Sequence, residues 1–440
     1  MKKSKTFYIE SLGCAKNQVD SEILIENLIK AGWVRKDEPR NAELILVNTC
    51  GFIEEAKQES IETALGFKAE YSGKKVMVTG CLSQRYKDEL KDGLKELDGF
   101  FGNKALEKIT DISERVLNGE RVSYFPEDHE HEPDYYKRDY LLSLPGSAYV
   151  KISEGCDNGC TFCAIPIIRG RLKSRTIGSL MEEIKYLLDK GVFEINLIAQ
   201  DLGSFGKDRG GLMLKELLNE ITSLRKDFWL RLLYFYPDRF NREIFSTIKS
   251  DKRILPYFDL PFQHASKNVL ARMGRLGNKD KYLNLIESIR KYLPDAVIRS
   301  TFLVGFPGET DEDFEILKSF QKKAQIDWLG VFVYSKEEGT AASYYKGAVP
   351  KKLALERKRI IEVIQENITV NRLRRFSGKR LKVLIEEEIK NENIYIGRAY
   401  LQAPEVDGAV VVKTGAALNP GDVITAVITG NAGVDLEAVF

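Results

Sequence analysis

The six cysteines of this 440-residue chain fall into two groups of three, and the tighter group carries the clearest chemistry. Cys156, Cys160 and Cys163 stand at C-x-x-x-C-x-x-C spacing, in a segment that also holds Gly155 and Gly159. Thiolates this close can wrap one small inorganic cluster. A [4Fe–4S] cube normally takes four cysteines, and no fourth follows, so one iron is left open to a further ligand. The competing reading is a zinc knob or a set of buried structural thiols. Structural zinc wants four ligands, usually in two pairs.

The second group is spread out in sequence. Residues 7–10, 44–47 and 75–79 read as short apolar strands, and they run into Cys14, Cys50 and Cys81 respectively. Residues 20–30 and 54–67 are periodic at helical spacing, and Asp20 or Ser21 is placed to cap the first of these helices. Strand–Cys–helix thus recurs three times, and alternating strands and helices imply a parallel sheet. Ligands of open α/β sheets bind at the carboxyl ends of the strands, where all three thiols can converge. The alternative is three unrelated buried cysteines that happen to follow strands.

Two resemblances attach to these residues. The Cys156–Cys160–Cys163 spacing resembles the signature of the radical S-adenosylmethionine (SAM) superfamily, in which the open iron holds the amino and carboxylate groups of the methionine moiety. Gly13-Cys14-Ala15-Lys16-Asn17 and Val19-Asp20-Ser21-Glu22, with Val47-Asn48-Thr49-Cys50-Gly51 and Thr79-Gly80-Cys81, resemble the methylthiotransferase family, and the likeness covers nearly the whole chain. Lys16-Asn17 is similar to the branch acting on a ribosomal protein, whereas the tRNA-modifying branch usually carries a different pair after that cysteine. The resemblance implies two [4Fe–4S] clusters, one on each cysteine trio, together with SAM and an electron donor of flavodoxin or ferredoxin type. It implies a methylthio group added to the β-carbon of an aspartate on the twelfth protein of the small ribosomal subunit. Hydrogen is taken there from a carbon with no usable pKa, which is work for a cofactor and not for acid–base side chains, so no residue is assigned as catalytic. The rival within the class is a tRNA adenosine methylthiotransferase. The rival of another class is a non-catalytic iron–sulfur electron carrier or RNA-binding sensor, which would not cleave SAM.

Elements must position these groups. From residue 181 to residue 333, strand and helix signals alternate through about six β/α units, which implies a partial parallel barrel with its chemistry at the strand C-termini. Polar or Gly-rich strand ends lie at Gln200-Asp201, at Gln263-His264, at Gly305-Phe306-Pro307-Gly308 and at Tyr334-Ser335. The radical SAM resemblance makes Gln200, Arg299 and Ser300 candidate SAM contacts. The Gly305–Gly308 run is equally explained by a tight turn. His264 reads as a core or supporting histidine ahead of a general base, and Met273 as packing. Arg169, Arg171 and Arg175 form a basic stretch after the cysteines, suited to SAM carboxylates or an acidic substrate, or else to solvent.

The expected fold class is α/β: an N-terminal open parallel α/β sheet, a central partial (β/α)6 TIM-like barrel and a C-terminal small antiparallel β-barrel. The expected boundaries are 1–117, a linker at 118–141, then 142–373 and 374–440. His129 and His131 lie in the linker, where a solvated acidic segment is a better reading than a metal site. Residues 351–376 form a helical pattern with Leu355, Ile360, Ile361, Ile364 and Ile368 on its apolar side and a basic polar face, which is either solvated or in weak contact with ribosomal RNA. Five strand signals from residue 381 onward are similar to a TRAM domain. That segment holds four basic and nine acidic side chains, a balance of −5. Phosphate binding needs Lys and Arg, so the acidic barrel suits a basic ribosomal protein better than RNA. The whole chain has a net charge of +2 and no apolar run of membrane-spanning length, and its start lacks an apolar secretory core. A cytoplasmic protein with no membrane partner is expected.

Overall fold

The computed structural model describes residues 5–127 and 137–440. His129 and His131 lie outside the described residues. The N-terminal sheet has six parallel strands: β1 (Thr6–Ser11), β2 (Val34–Arg35), β3 (Leu44–Thr49), β4 (Lys75–Gly80), β5 (Gly99–Phe101) and β6 (Val122–Tyr124), in the order β2-β1-β3-β4-β5-β6. The three strands that lead into cysteines are therefore immediate neighbours. β2, β5 and β6 are two or three residues long, too short to carry a periodic signal, and β6 falls inside the stretch expected to be an irregular linker.

Beyond it, β7 (Ser147–Lys151) and the short antiparallel ribbon of β8 (Ser153–Glu154) and β9 (Lys173–Ser174) frame the cysteine loop. β10 (Glu194–Ile198), β11 (Trp229–Leu232), β12 (Tyr257–Asp259), β13 (Val297–Val304) and β14 (Trp328–Val333) complete the central arc. It consists of the parallel runs β7-β10-β11 and β12-β13-β14. Hydrogen bonds from Leu255 N to Leu230 O (2.9 Å) and from Phe235 N to Asp259 O (2.9 Å) join the two runs. Alternation along the strands divides their side chains between two faces. Ala148, Val150, Ile195, Leu197, Leu230, Phe258, Ile298 and Phe302 pack outward under the helices. Tyr149, Ile198, Trp229, Leu233, Tyr257 and Trp328 turn inward to the lumen side.

The C-terminal β15 (Arg380–Ile389), β16 (Ile394–Arg398), β17 (Val410–Lys413), β18 (Val423–Ala432) and β19 (Asp435–Val439) close into a barrel, β15-β16-β17-β19-β18. Four of its junctions are antiparallel and one, β17–β19, is parallel. A closed ring of five strands cannot alternate direction all the way round, so the fully antiparallel barrel expected from the sequence is impossible once the ring shuts.

This barrel seals the floor of the central arc. Trp328 Nε1 donates to Leu401 O (2.6 Å), Arg231 Nη1 to Tyr400 O (2.8 Å) and Tyr257 OH to Asp407 Oδ2 (2.5 Å). Arg398 pairs with Glu194 at 2.6 Å, with all side chains buried. Burial pushes the Glu194 carboxyl up, but Arg398 and then Arg231 outweigh it and hold it at about 2. The N-terminal sheet covers the opposite mouth, at the strand C-termini.

The helix Lys351–Leu373 buries Ile361 and Ile368 of the apolar side read in sequence and packs Ile360 on the core, but its buried face also takes in polar residues. Ala354, Arg357, Ile361, Gln365, Ile368 and Leu373 are buried, whereas Leu355 is exposed. Part of the basic character of residues 351–376 is spent inside the chain. Arg357 pairs with Glu309 (2.9 Å) and Asp311 (2.6 Å), and Arg372 and Arg375 pair with Asp327 (2.9 and 2.5 Å).

Candidate functional site

Cys14 is the N-cap of the helix Ala15–Lys30, Cys50 directly follows β3, and Cys81 opens the helix Cys81–Arg85 after β4. The first helix therefore starts at the cysteine, six residues before the cap read from the sequence. Asp20 and Ser21 lie inside it, with Ser21 Oγ donating to Ser11 Oγ (2.8 Å). A thiolate at the N-cap sits on the positive end of the helix dipole.

Two glycines let this trio close up. Gly13 has φ +91°, and a Cβ there would lie 2.9 Å from Cys50 Cβ and 3.3 Å from its Sγ. A Cβ on Gly51 would lie 2.8 Å from the backbone of Cys81. The Cys81 thiol donates to Asn17 Oδ1 (3.1 Å) and accepts from Arg169 Nη2 (3.2 Å). Burial pushes that thiol up to about 12, although Arg169 beside it acts the other way.

The other trio lies on a loop pinned from three sides. Cys156 N donates to Gly170 O (3.2 Å), Thr161 N to Met273 O (3.0 Å) and Ala342 N to Thr161 O (2.9 Å). Gly155 has φ +67° and faces the Arg171 carbonyl, 2.0 Å from where a Cβ would stand. Asn158 N–H donates to Cys156 Sγ (3.4 Å), and Arg275 Nη1 lies 3.8 Å from Cys160 Sγ. Burial pushes Cys156 up to about 11 and Cys163 to about 12.

The two trios meet. Cys81 packs against Ala164 and Ile168, and Ala164 directly follows Cys163. A second route runs along the strand ends. Lys16, two residues from Cys14, lies over the Tyr234 ring (3.6 Å to the centroid), and the Arg275 guanidinium that reaches Cys160 stacks on Tyr236 (4.1 Å). Between them sits a buried charge network. Lys151 pairs with Asp20 and Glu154, both at 2.5 Å, and Arg169 with the same two carboxylates at 3.0 and 2.8 Å.

Arg169 therefore joins the two sheets, and neither of the expected readings of the basic stretch describes it. Arg175 is likewise buried, bonded to Glu183, to Lys151 O (3.1 Å) and to Ser179 Oγ (2.8 Å). Only Arg171 is solvated.

The three candidate SAM contacts separate. Gln200 follows β10 beside the cysteine loop, where Asn158 Nδ2 donates to Asp201 Oδ2 (3.0 Å). Both polar atoms of the Gln200 amide are buried without a hydrogen-bond partner, as befits a side chain that bonds an added group. Arg299 lies low on β13 and is spent on Asp259 (3.4 Å) and Asp407 (3.3 Å) at the floor. Ser300 faces outward: its hydroxyl donates to Leu260 O (2.8 Å) and accepts from Phe262 N (3.2 Å). A one-residue step along a strand reverses the face, and Thr301 is the neighbour that shares the inner face with Arg299 and Gly330.

His264, Met273 and the Gly305–Gly308 run settle as supporting structure, whereas the Tyr334 hydroxyl is buried without a hydrogen-bond partner. His264 is fully buried, accepts from Ser266 N at Nδ1 (3.0 Å), and is held by burial at about 3. Met273 is fully buried in the main core. Glu309 Oε2 accepts from Gly305 N (2.5 Å) and Phe306 N (3.1 Å), which closes the Gly305–Gly308 run into a turn.

Sequence reading missed Tyr234, Asp259 and Arg275. Tyr234 has φ +70°, a conformation bulky residues rarely adopt and one that concentrates at functional sites. Nothing in a tyrosine codon's neighbours signals that backbone state. Among the described residues, no three Cys, His, Asp or Glu side chains close on one point as ligands of a single metal ion do. A cube distributes its thiolates over separate irons, and the donor set, three thiols beside glycines that clear space, fits such a group at each trio.

Comparison with known proteins agrees with this layout. A model described as uncharacterized protein family UPF0004 matches residues 6–102, the Radical SAM superfamily matches 150–320, and the TRAM domain matches 378–440. In solved structures the fold is similar to TsrM from Kitasatospora setae, a radical S-adenosylmethionine methyltransferase with tryptophan substrate and a SAM analogue bound. The TM-score is 0.57 at 14% identity, over 74% of this chain and 73% of that one. Order of sheets and cysteine loop together define a radical SAM enzyme, a class that implies SAM and a [4Fe–4S] cluster. Among curated relatives, the ribosomal protein uS12 methylthiotransferase RimO of Treponema denticola is 42% identical, covering 97% of this chain and 99% of that protein. Those named the same in Carboxydothermus hydrogenoformans and Aquifex aeolicus are 39% and 44% identical, over 99% and 97% of this chain and 99% and 95% of theirs. The chain belongs to the radical SAM methylthiotransferase family of the ribosomal protein uS12 type.

Proposed function

We propose that this protein transfers a methylthio group to the β-carbon of an aspartate on ribosomal protein uS12. The observation that carries the reading is that Cys81 packs against Ala164, the residue after Cys163, so that the two cysteine groups adjoin, in a chain alike end to end to the uS12 methylthiotransferases. Cys156, Cys160 and Cys163 would hold one [4Fe–4S] cluster, with the unpartnered Gln200 amide beside the loop that carries them, and Cys14, Cys50 and Cys81 a second. When bound, these groups and SAM would supply the hydrogen-abstracting radical, the sulfur and the methyl group.

The chain's own side chains position and exclude water. The N-terminal sheet roofs the mouth through Arg169, Lys151 and Asp20, and the C-terminal barrel stops the floor through Arg398 and Glu194. The reading treats residues 1–117, 142–373 and 374–440 as three working parts, with β6 joined to the first by strand pairing. The C-terminal barrel offers a basic ribosomal protein an acidic surface. Of the four basic side chains in residues 381–440, Arg398 is buried and Lys382 is paired with Asp227 (2.7 Å), which leaves little in that stretch for phosphate or ribosomal RNA. Reduction would come from a flavodoxin- or ferredoxin-type donor. Among the described residues, no helix is long and apolar enough to cross a membrane.

The test is anaerobic incubation of the iron-loaded enzyme with SAM, a reductant and either purified uS12 or tRNA, followed by mass spectrometry. A methylthio group on a uS12 aspartate is expected. Modification of tRNA adenosine instead, or SAM that stays intact, would defeat the reading. Cys14→Ala and Cys156→Ala should each abolish transfer, and full activity of either contradicts the two-cluster arrangement.

A further inference from the structure

Lys16 is set apart from the other cations around the mouth by what it lacks. Arg169 and Lys151 share Asp20 and Glu154, Arg275 pairs with Asp238 (3.1 Å), and Arg299 pairs with Asp259 and Asp407. Lys16 is only 7% exposed, yet no carboxylate of the described residues lies within ion-pair distance of it. Its ammonium rests instead on the face of Tyr234, 3.6 Å from the ring centroid. Cys14, Asp259 and Glu154 are near enough to act on it through their charge, but Asp259 is engaged by Arg299 and by Tyr234 N (3.3 Å), and Glu154 by Lys151 and Arg169. A desolvated cation on an aromatic face keeps its attraction for an anion, because the ring replaces only part of the lost hydration.

Position gives this vacancy its meaning. Lys16 is two residues from Cys14 and lies over the residue that begins the Tyr234–Tyr236 segment, at whose far end Arg275 reaches Cys160. The Tyr234 backbone, held at φ +70°, keeps the ring under it.

We propose that the Lys16 ammonium binds the side-chain carboxylate of the substrate aspartate and so selects an acidic residue at the reacting position. The inference rests on the uS12 reading above. Fixing the carboxylate fixes the adjacent β-carbon between the two cysteine sites, and an amide in its place offers no charge to the ammonium. Removing one partner of a buried charge pair at an interface weakens affinity by more than about tenfold.

The experiment uses iron-loaded wild-type, Lys16→Met, Lys16→Gln and Lys16→Arg enzymes, with purified uS12 and with uS12 whose target aspartate is replaced by asparagine. Dissociation constants, KM, and iron and sulfide content are measured for each. Wild type should bind the aspartate protein at least tenfold better than the asparagine protein. The two neutral variants should lose that ratio through weaker binding of the aspartate protein, with iron and sulfide unchanged, and Lys16→Arg should recover part of it. A ratio that persists in both neutral variants overturns the proposal. So does loss of iron in them, which would make Lys16 a support of the Cys14 site. Failure of the uS12 reading looks different: wild type itself then leaves uS12 unmodified.

Discussion

Gly155 and Gly159 flank the same cysteine turn and are indistinguishable as letters, yet the fold makes them opposites, and replacing each by alanine is a sharp test. At Gly155 the backbone has φ +67°, which costs an L-residue roughly 1–2 kcal/mol. The new Cβ would stand 2.0 Å from the Arg171 carbonyl oxygen and 2.6 Å from that of Gly170, both backbone atoms without a rotamer to yield. Relief requires the loop to leave the β8–β9 ribbon and to give up the bond from Cys156 N to Gly170 O, a further ~1 kcal/mol. The sum is about 2–3 kcal/mol before any overlap that remains, and it falls on the residue that places the Cys156 thiol. At ~2–4 °C per kcal/mol for a domain of 150–250 residues, Gly155→Ala should lower Tm by roughly 4–12 °C. It should also cost the enzyme about half of its iron and sulfide, the share of one cube in two. At Gly159 an added Cβ meets nothing within 4 Å, and φ lies outside the left-handed region, so Gly159→Ala should keep both Tm and iron. Thermal melting and iron analysis of both variants decide the matter. A Gly155→Ala enzyme that loads and melts as wild type, or a Gly159→Ala enzyme equally damaged, refutes the geometry.

Three further outcomes follow from buried charge. His264 is held at about 3 against an ordinary 6.5, so the unfolded chain takes up a proton below pH 6.5 that the folded one refuses, and stability falls as pH drops through that window. Between pH 6.5 and 5 the loss is about 2 kcal/mol, and denaturant titrations at pH 7 and 5 should show His264→Gln losing correspondingly less. Arg398→Ala leaves Glu194 in the floor with Arg231 alone and should destabilise the barrel contact by about 3 kcal/mol, seen as faster hydrogen exchange across residues 380–440. Burial holds Cys81 and Cys163 at about 12 and Cys156 at about 11, so each must release a proton to ligate iron. Anaerobic iron uptake by the metal-free protein should therefore rise from pH 7 to pH 8.5, and uptake that is flat or falling would contradict these protonated thiols.

What sequence alone determined here is local or periodic. The trio Cys156, Cys160 and Cys163 is contiguous, so its spacing reads directly. The strands before Cys14, Cys50 and Cys81 are apolar runs, and their order forces a parallel sheet whose C-terminal ends are shared. β16 and β19 begin and end where alternation says they should, because each buries one face, and β13 is read as an apolar run because it is buried on both.

What only the tertiary structure decided is which groups face which. Arg299 and Ser300 looked alike as strand residues, but one points to the floor and the other out under the helices, and Gln200 alone of the three candidates stands beside the cysteine loop with an unspent amide. Arg169 and Arg175 read as free basic groups because their carboxylates are distant in sequence: Asp20 lies across a domain boundary from Arg169, at 3.0 Å in space. Lys16 became informative only through the absence of such a carboxylate. Side-chain periodicity reports burial, and burial is a property of one element. Charge pairing and site assembly are properties of two or three elements at once, and no single stretch of residues encodes them.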